Sequence, residues 1–203
     1  MRNRINITQL ANDIEEYLNN KTDIEVKTAI QKFRIYLKFP ILEELKLTEQ
    51  GGSSLLFLKI EVFKEFSFCH GYKIQYVPVM KHNKSIIIKT FDLSTLMATK
   101  IMAILHRKWE KTDKKGKTIV KVKGRDYFDL MWYLKKGVSP NIKCIKGIED
   151  REKLKKHLLT IVNNIDLQSI QLDLEQFIGN EIFVKKLSKS IKDIIMSEIQ
   201  MKL

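Results

Sequence analysis

The sequence predicts an α+β fold: an N-terminal helix and a mostly antiparallel or mixed sheet, followed by a C-terminal bundle of helices. Two observations predict it. Short runs in which apolar and polar residues alternate occur between Ile24 and Lys89. From Asp92 onward, apolar residues recur at helical spacing instead. The change near Asp92 predicts a subdomain boundary, with an α/β subdomain at 1–91 and a helical subdomain packed on it at 92–203.

The first half begins with a predicted helix from Ile7 to Leu18, with its apolar residues on one face. A half-buried strand follows and ends before Pro40, because proline disrupts strand pairing. The run from Leu55 to Phe63 is so apolar that it predicts a central strand. Two more strands are predicted at 72–79 and 85–89, with Pro78 and the polar stretch from Lys81 to Lys84 marking the turn between them.

The second half is predicted to be helical. Asp92 or Ser94 caps a helix that continues to about Trp109. A polar, lysine-dense connection follows, and a second helix starts near Gly124 and stops at Gly137. Pro140 is expected to open a short helix, and two longer helices are predicted at about 150–164 and 181–201.

Charge and cysteine content limit the classes of function. The chain has 203 residues and a net charge of +13, which favours a polyanionic partner such as RNA, DNA, nucleotide phosphates or an acidic protein. The alternative is a lysine-rich composition without functional meaning. Cys69 and Cys144 lack metal-type spacing, so neither a zinc site nor a disulfide framework is expected. With no signal peptide or membrane span predicted, we expect a cytoplasmic, reduced protein without membrane contact.

Two charged residues lie in apolar surroundings. Glu61 belongs to the apolar run, where an unpaired carboxylate is costly, so it should face solvent, meet a cation or bind a metal. Lys100 lies in a mostly apolar helix, about two turns before His106 and Arg107. It can form an ion pair or hold phosphate oxygens as a point charge. Local sequence by itself favours solvent exposure for Glu61 and an ion pair for Lys100.

A third candidate is the segment Arg125-Asp126-x-x-Asp129. The two aspartates are three positions apart on a predicted helix and therefore share one face. Asp126 also lies in the first turn, where the helix dipole favours an anion. Spacing leaves open that Asp126 is only a helix cap and that Arg125 and Asp129 form only a local pair.

The order of these motifs resembles the AbiEii/AbiGii nucleotidyltransferase toxins of type IV toxin–antitoxin systems, which belong to the polymerase-β-like superfamily. The resemblance rests on paired strands with Glu61 on the second, a helix with Lys100 and a later Arg107, and the block from Lys123 to Leu130. Asp173-Leu-Glu-Gln-Phe177 and the last helix are similar to the family's C-terminal layout. The resemblance covers nearly the whole chain and implies a sheet of nucleotidyltransferase type.

The resemblance also implies roles for individual residues. Lys100 would contact the nucleotide phosphates, and Asp126 would contact Lys100, the nucleotide or a metal. Glu61 would stand at the third carboxylate of the catalytic site and be its possible metal ligand. We therefore take Glu61, Lys100 and Asp126 as catalytic candidates, with Mg²⁺ as the expected cofactor. Nucleotide-binding candidates are Lys100, Arg107, Arg125 and Asp129.

One family motif is missing from the sequence. The family carries a Gly-Gly-Thr/Ser turn followed by an Asp-x-Asp pair that binds the metals, and no Asp-x-Asp occurs here. Gly51-Gly52-Ser53 is followed by Glu61 but not by a second acid two positions on, so we interpret it as a hairpin turn. The chain is therefore expected to correspond to the C-terminal two-thirds or more of a family member, needing an N-terminal partner segment for activity.

Two functions from different classes follow. The first is a toxin subunit that transfers a nucleotide from an NTP to an acceptor such as tRNA, controlled by a cognate antitoxin. The second is a non-catalytic remnant, a basic module that binds nucleotide, RNA or antitoxin. The segment from Lys111 to Arg125, whose only acid is Asp113, would be its RNA contact. A DNA-binding regulator is a weaker prediction, because no helix-turn-helix pair with a polar recognition face is apparent.

Overall fold

A computed structural model describes residues 5–48, 50–62, 69 and 71–203. It confirms the α+β fold class, with an N-terminal helix, antiparallel strand pairs and C-terminal helices. The chain forms two compact units, Met1–Phe66 and Ser67–Leu203. No helix in the described ranges is both long enough and apolar enough to cross a bilayer.

The first unit is a helix packed on a three-stranded antiparallel sheet of order β1-β2-β3. Its elements are α1 (Ile7–Lys21), β1 (Lys27–Gln31), β2 (Arg34–Phe39) and β3 (Leu56–Glu61). The side chain of Asn6 caps α1 by accepting hydrogen bonds from the backbone N–H groups of Thr8 and Gln9. The predicted helix and the strand that ends before Pro40 are thus confirmed.

The core of this unit forms where the apolar face of α1 meets one face of the sheet. Its buried members are Ala11, Val26, Ile35, Leu37 and Val62. Polar contacts fix the helix on β1. Glu15 accepts hydrogen bonds from the backbone N–H and the hydroxyl of Thr28, both at 2.6 Å. Asn19 both donates to and accepts from the backbone of Val26.

The prediction that the run beginning at Leu55 forms a central strand is wrong. The central strand is β2, and β3 pairs only with β2 among the described residues. Its apolar side chains stay exposed, at 44% for Leu56, 50% for Phe57 and 53% for Leu58. An unbroken apolar run is compatible with a strand at any position, because the neighbouring strands decide what covers it. Phe63 lies outside the described residues.

The connection between β2 and β3 contains the Gly-Gly-Ser segment. Gly51 adopts a positive φ of 76° within a turn. The two strands that this connection joins are antiparallel neighbours, with Phe39 opposite Leu56. The segment therefore belongs to a long hairpin connection and not to a tight two-residue turn.

The second unit starts with a hairpin and continues with helices. Its elements, in chain order, are β4 (Ile74–Lys81), β5 (Lys84–Phe91), α2 (Leu93–His106), β6 (Lys111–Thr112), β7 (Thr118–Val120), α3 (Gly124–Lys135), a 3-10 helix (Ile142–Cys144), α4 (Arg151–Asn163), α5 (Leu167–Glu175) and α6 (Glu181–Lys202). The predicted helices are confirmed, including the Asp92 cap and the stop at Gly137, where φ is 70°. The nine-residue α5 was not predicted.

The turn between β4 and β5 lies within the stretch from Lys81 to Lys84, as predicted from the sequence. His82 and Asn83 both have positive φ, 50° and 58°, and Lys81 pairs with Lys84 across the turn. Two residues in the left-handed region are typical of the tight hairpin turns that match strand twist. Pro78 lies inside β4, opposite Ile87, and not in the turn.

In the second unit, three helices pack around α6, namely α3, α4 and α5. Val184, Ile191, Ile195 and Ile199 are fully buried along one of its faces. Residues at this three-to-four spacing form a continuous apolar stripe on a helix. The stripe explains why a sequence with 30% charged residues still forms a bundle.

Two sequence predictions are corrected in this unit. The lysine-dense connection contains the short hairpin of β6 and β7. In its turn, the carboxylate of Asp113 accepts hydrogen bonds from the backbone N–H groups of Lys115 and Lys117. A run this polar lacks the alternation that predicts strands. Cys69 and Cys144 form a disulfide, although none was expected from their spacing. Their proximity depends on tertiary contacts over 75 positions.

Candidate functional site

Two cations near the end of α2 meet two carboxylates at the start of α3. The ammonium of Lys100 lies 2.6 Å from Asp129 Oδ2 and 3.4 Å from Asp126 Oδ1. Arg107, at the C-terminal cap of α2, donates from Nη1 to Asp126 Oδ2 at 2.7 Å. The structure thus brings together four residues that the sequence singled out.

Burial differs between the two carboxylates. Asp126 is 3% exposed, because it lies in the first turn of α3 where that helix packs on α2. The side chain of Asp129 is 38% exposed. A buried carboxylate requires partners, and Arg107 and Lys100 provide them. Asp126 is therefore neither a simple helix cap nor a free acid.

The two aspartates hold Lys100 in its charged form. Burial by itself lowers the pKa of Lys100, but the hydrogen bond from Lys100 to Asp129 and the charges of both aspartates outweigh it, so the net pKa is raised. An ammonium has three N–H donors, and the aspartates engage two of them. Lys100 therefore retains a donor for a further anion.

Arg125 forms a second ion pair next to the first, and not with Asp129. Its backbone N–H donates to Asp173 Oδ2 at 3.1 Å, and its Nε lies 3.5 Å from the same oxygen. Its guanidinium carbon lies 3.7 Å from the centroid of the Phe177 ring. Stacking on an aromatic ring leaves the edge of a guanidinium open for hydrogen bonds to an anion.

Asp173 was not predicted as part of the site. It is fully buried on α5, where it accepts from the first turn of α3 and lies 3.7 Å from the ammonium of Lys111. The signal in the sequence was an aspartate between the apolar residues Ile170 and Leu174, at a spacing that places all three on one helical face. An acid on a buried face needs a nearby donor, which here is the N-terminus of α3.

Close packing at Gly124 holds α3 against α5. A Cβ atom at this position would lie 2.8 Å from the carbonyl oxygen of Ile170 and 3.3 Å from the Cβ of Asp173. Only a residue without a side chain allows this approach. Because Gly124 immediately precedes Arg125 and Asp126, the contact also fixes the position of the acidic turn.

A pocket of about 380 Å³ opens beside these residues. It is lined by Lys100, Lys123, Arg125, Asp129, Phe128 and Phe177, with Leu174 and Ile178 behind them. Three cations and two aromatic rings surround one carboxylate, which itself pairs with Lys100. A pocket that combines apolar walls with a few convergent charged groups is typical of small-molecule sites.

Tyr127 follows Asp126 and faces the interior. Burial, aided by the charge of Asp126, raises the pKa of its phenol to about 12 from an ordinary value near 10. The folded state thus retains this proton at a pH where the unfolded chain loses it. The contribution of the protonated phenol to stability is present below pH 10 and is lost as the pH rises towards 12.

We therefore expect the free energy of unfolding to fall between pH 8 and pH 11 by about 1.4 kcal/mol more in the wild type than in Tyr127→Phe. Urea unfolding of both proteins at the two pH values measures the difference, and every other ionisable group is common to both. Equal losses would show that the phenol ionises normally in the folded state.

Glu61 lies in the first unit, and its contacts there are with cations. Its Oε1 lies 3.0 Å from Arg34 Nε and 3.0 Å from Lys59 Nζ. The hydrogen bond from Lys59 is the main reason why the pKa of Glu61 is lowered; burial opposes the shift and Arg34 adds to it. Of the environments that the sequence allowed, two are observed together: Glu61 is exposed to solvent and is paired with cations.

The described residues do not fit a preformed Mg²⁺ site. Within residues 5–48, 50–62, 69 and 71–203, no three His, Cys, Asp or Glu side chains are grouped so that they could hold a metal ion. The carboxylates of Asp126 and Asp129 are directed at Lys100 and Arg107. Bringing a divalent cation to these oxygens would require displacing an ammonium or a guanidinium.

A comparison with protein-family models identifies the group to which the chain belongs. Residues 5–195 match the model described as "Nucleotidyl transferase AbiEii toxin, Type IV TA system". The match covers most of both units and includes every residue of the site described above. Neither the curated proteins nor the solved structures contain a significant match. The chain therefore belongs to the AbiEii family of nucleotidyltransferase toxins from type IV toxin–antitoxin systems.

Proposed function

We propose that the pocket formed by α2, α3 and the end of α5 binds a nucleoside triphosphate, from which a nucleotide is transferred to an RNA acceptor such as tRNA. The observation that carries this proposal is the convergence of Lys100, Lys123 and Arg125 on a pocket with two phenylalanines. Cations provide for the phosphates, and the aromatic faces provide for the base. Membership of the AbiEii family supports the reaction class.

Lys100 is proposed to bind the phosphate chain. Its ammonium is fixed between Asp126 and Asp129 and keeps its charge because of them. A fixed charge needs little reorganisation when the negative charge of a phosphoryl group develops. Arg107, which uses one of its N–H groups on Asp126, is proposed to assist from the end of α2.

Arg125 and Asp129 complete the proposed nucleotide site. The guanidinium of Arg125 stacks on the ring of Phe177, and Asp173 accepts a hydrogen bond from the backbone N–H of Arg125. This arrangement suits a planar group that binds a phosphate through two N–H donors. Asp129 is partly exposed at the pocket and is proposed to orient Lys100.

Glu61 remains a proposed catalytic acid on the basis of the family resemblance alone. Its partners Arg34 and Lys59 would have to release the carboxylate before it could act on a metal. The Mg²⁺ that a triphosphate carries would need further carboxylates, because Asp126 and Asp129 are paired. We also propose a cognate antitoxin as partner, in keeping with the type IV family.

A second candidate function is nucleotide or RNA binding without transfer. It is favoured by one observation: every carboxylate of the described site faces a cation, whereas metal-dependent transfer needs acids that are free to bind metal. Such a module would retain the phosphate contacts and lack the chemistry.

Labelled-NTP experiments distinguish the two functions. Each of the four NTPs is incubated with the purified protein and total tRNA, and nucleotide binding is measured separately by calorimetry. Incorporation of label supports transfer. Binding of NTP with no label in RNA supports the non-catalytic module, and absence of NTP binding overturns the nucleotide site that both functions share.

Lys100→Gln is expected to weaken NTP binding about tenfold or more, because one charge-assisted hydrogen bond contributes roughly 1.5–3 kcal/mol. Lys189→Gln is the matched control, since it removes the same charge from an exposed position on α6. Equal affinities of the two variants would remove Lys100 from the site. Circular dichroism of both variants checks that the fold is retained.

A further inference from the structure

A second, smaller cavity is also lined by Lys123. Its volume is about 80 Å³, enough for a small anion. Arg107, Trp109, Lys121, Lys123, Asp126 and Tyr127 line it. Asp126 is the one carboxylate among its lining residues, and Arg107 and Lys100 already share it. The cavity therefore has an excess of positive charge.

Trp109, a lining residue of the cavity, has a hydrogen-bond donor without a partner among the described residues. Its indole Nε1 is buried and has no acceptor in the part of the chain that the structure describes. A buried N–H without an acceptor is unfavourable and uncommon in folded proteins. Trp109 lines the cavity, and its indole N–H lacks an acceptor within the described ranges. A ligand with acceptor oxygens would supply one.

Lys123, like its neighbour Lys121 in the small cavity, differs from the three cations that pair with aspartates. Lys100, Arg107 and Arg125 each pair with an aspartate, whereas Lys123 pairs with no carboxylate among the described residues. Its ammonium lies 5.3 Å from the centroid of the Trp109 ring. Burial lowers its pKa, and the positive charges of the three neighbours lower it further, against the opposing effect of Asp126.

Lys123 also connects the two cavities, since it lines both the small one and the larger pocket with Phe128 and Phe177. The two cavities therefore share one cation, which a ligand extending from the larger pocket would meet. A phosphate chain has the required acceptor oxygens and negative charge.

We propose that the small cavity is a phosphate subsite in which the Lys123 ammonium and the Trp109 indole N–H hold a phosphate group of the nucleotide's polyphosphate chain. The subsite rests on the proposed function, because the larger pocket then takes the nucleoside together with the phosphates that Lys100 and Arg125 bind. A phosphate there would provide a negative charge for the Lys123 ammonium, which has no carboxylate partner in the described part of the chain, and an acceptor for the buried indole N–H of Trp109.

The two tryptophans of the chain allow a direct test by NMR. Inorganic triphosphate is titrated into the ¹⁵N-labelled protein, and the indole N–H resonances of Trp109 and Trp132 are followed. Trp109→Phe assigns the signals, and the exposed Trp132 serves as an internal reference. We expect the Trp109 resonance to shift with saturation and the Trp132 resonance to remain in place.

Lys123→Gln is expected to weaken triphosphate binding about tenfold or more, and the matched Lys189→Gln is expected to leave it unchanged. A Trp109 resonance that does not move, or equal affinities of the two variants, would overturn the subsite.

Parallel titrations with ATP and adenosine separate this proposal from the proposed function. If ATP binds equally to Lys123→Gln and Lys189→Gln and leaves Trp109 unshifted, the subsite is wrong and nucleotide binding stands. If inorganic triphosphate shifts Trp109 but ATP and adenosine do not bind, the cavity binds polyphosphate, and both nucleotide binding and the assignment of the subsite to a nucleotide are wrong.

Discussion

Replacing Gly124 with alanine is expected to lower the free energy of unfolding by about 1–3 kcal/mol, the usual range for overpacking a core. The added methyl group would lie 2.8 Å from the carbonyl oxygen of Ile170 and 3.1 Å from its Cα. Both are backbone atoms, so α3 and α5 must separate to make room. At an exposed helical position the same change would instead stabilise the helix by up to about 1 kcal/mol.

Gly179→Ala is the matched control, because a Cβ atom there has no neighbour within 4 Å and φ is not positive. We expect it to cost nothing measurable. Urea unfolding followed by tryptophan fluorescence provides the measurement. Trp109 and Trp132 both lie in the unit Ser67–Leu203, so their signals report on the unit that contains Gly124. If Gly124→Ala were as stable as Gly179→Ala, the close approach of the helices would be disproved.

Replacing Asp126 with alanine is expected to lower the free energy of unfolding by about 2 kcal/mol. Removing one partner from a fully buried ion pair costs roughly 3–5 kcal/mol. The cost is smaller here, because the side chains of Lys100 and Arg107 are 35% and 40% exposed and remain partly hydrated. The loss also leaves Arg107 without the only carboxylate that it contacts among the described residues.

Asp129→Ala tests whether burial is the cause. It removes the same chemical group from the same helix and also breaks a contact with Lys100, at 2.6 Å. Its side chain is 38% exposed, so we expect a cost below about 1 kcal/mol, as is usual for exposed ion pairs. The same fluorescence-detected unfolding compares the two variants. Equal costs would contradict the distinct role assigned to buried Asp126.

Gly124 and Asp126 both lie in the N-terminal turn of α3. Gly124 fixes that turn against α5, and Asp126 fixes it against α2. The turn carries Arg125 and precedes Asp129, so a shift of either contact would move the charged side of the larger pocket. We therefore expect Gly124→Ala to weaken NTP binding as well as stability, although glycine cannot contact a phosphate through a side chain.

Sequence periodicity succeeded where the structure depends on neighbours along the chain. The Asp92 cap, the helices from α2 to α4 and the turn at His82 and Asn83 were predicted at nearly the right positions. It did not predict α5, which is nine residues long, or the hairpin of β6 and β7. These short elements are stabilised by distant contacts, such as the hydrogen bond from the Lys121 N–H to Ser169.

By itself, the sequence determined the fold class, the family and the residues that would form the main ion-pair cluster, since helix spacing and the order of motifs are properties of the chain. Only the tertiary structure decided which carboxylate is buried, that β3 is exposed and that Asp173 supports Arg125. It also decided that Lys123 lacks a carboxylate partner among the described residues, whereas Lys100, in the same charged cluster, has two. Burial and ion pairing depend on which distant segments approach each other, and local composition does not specify that approach.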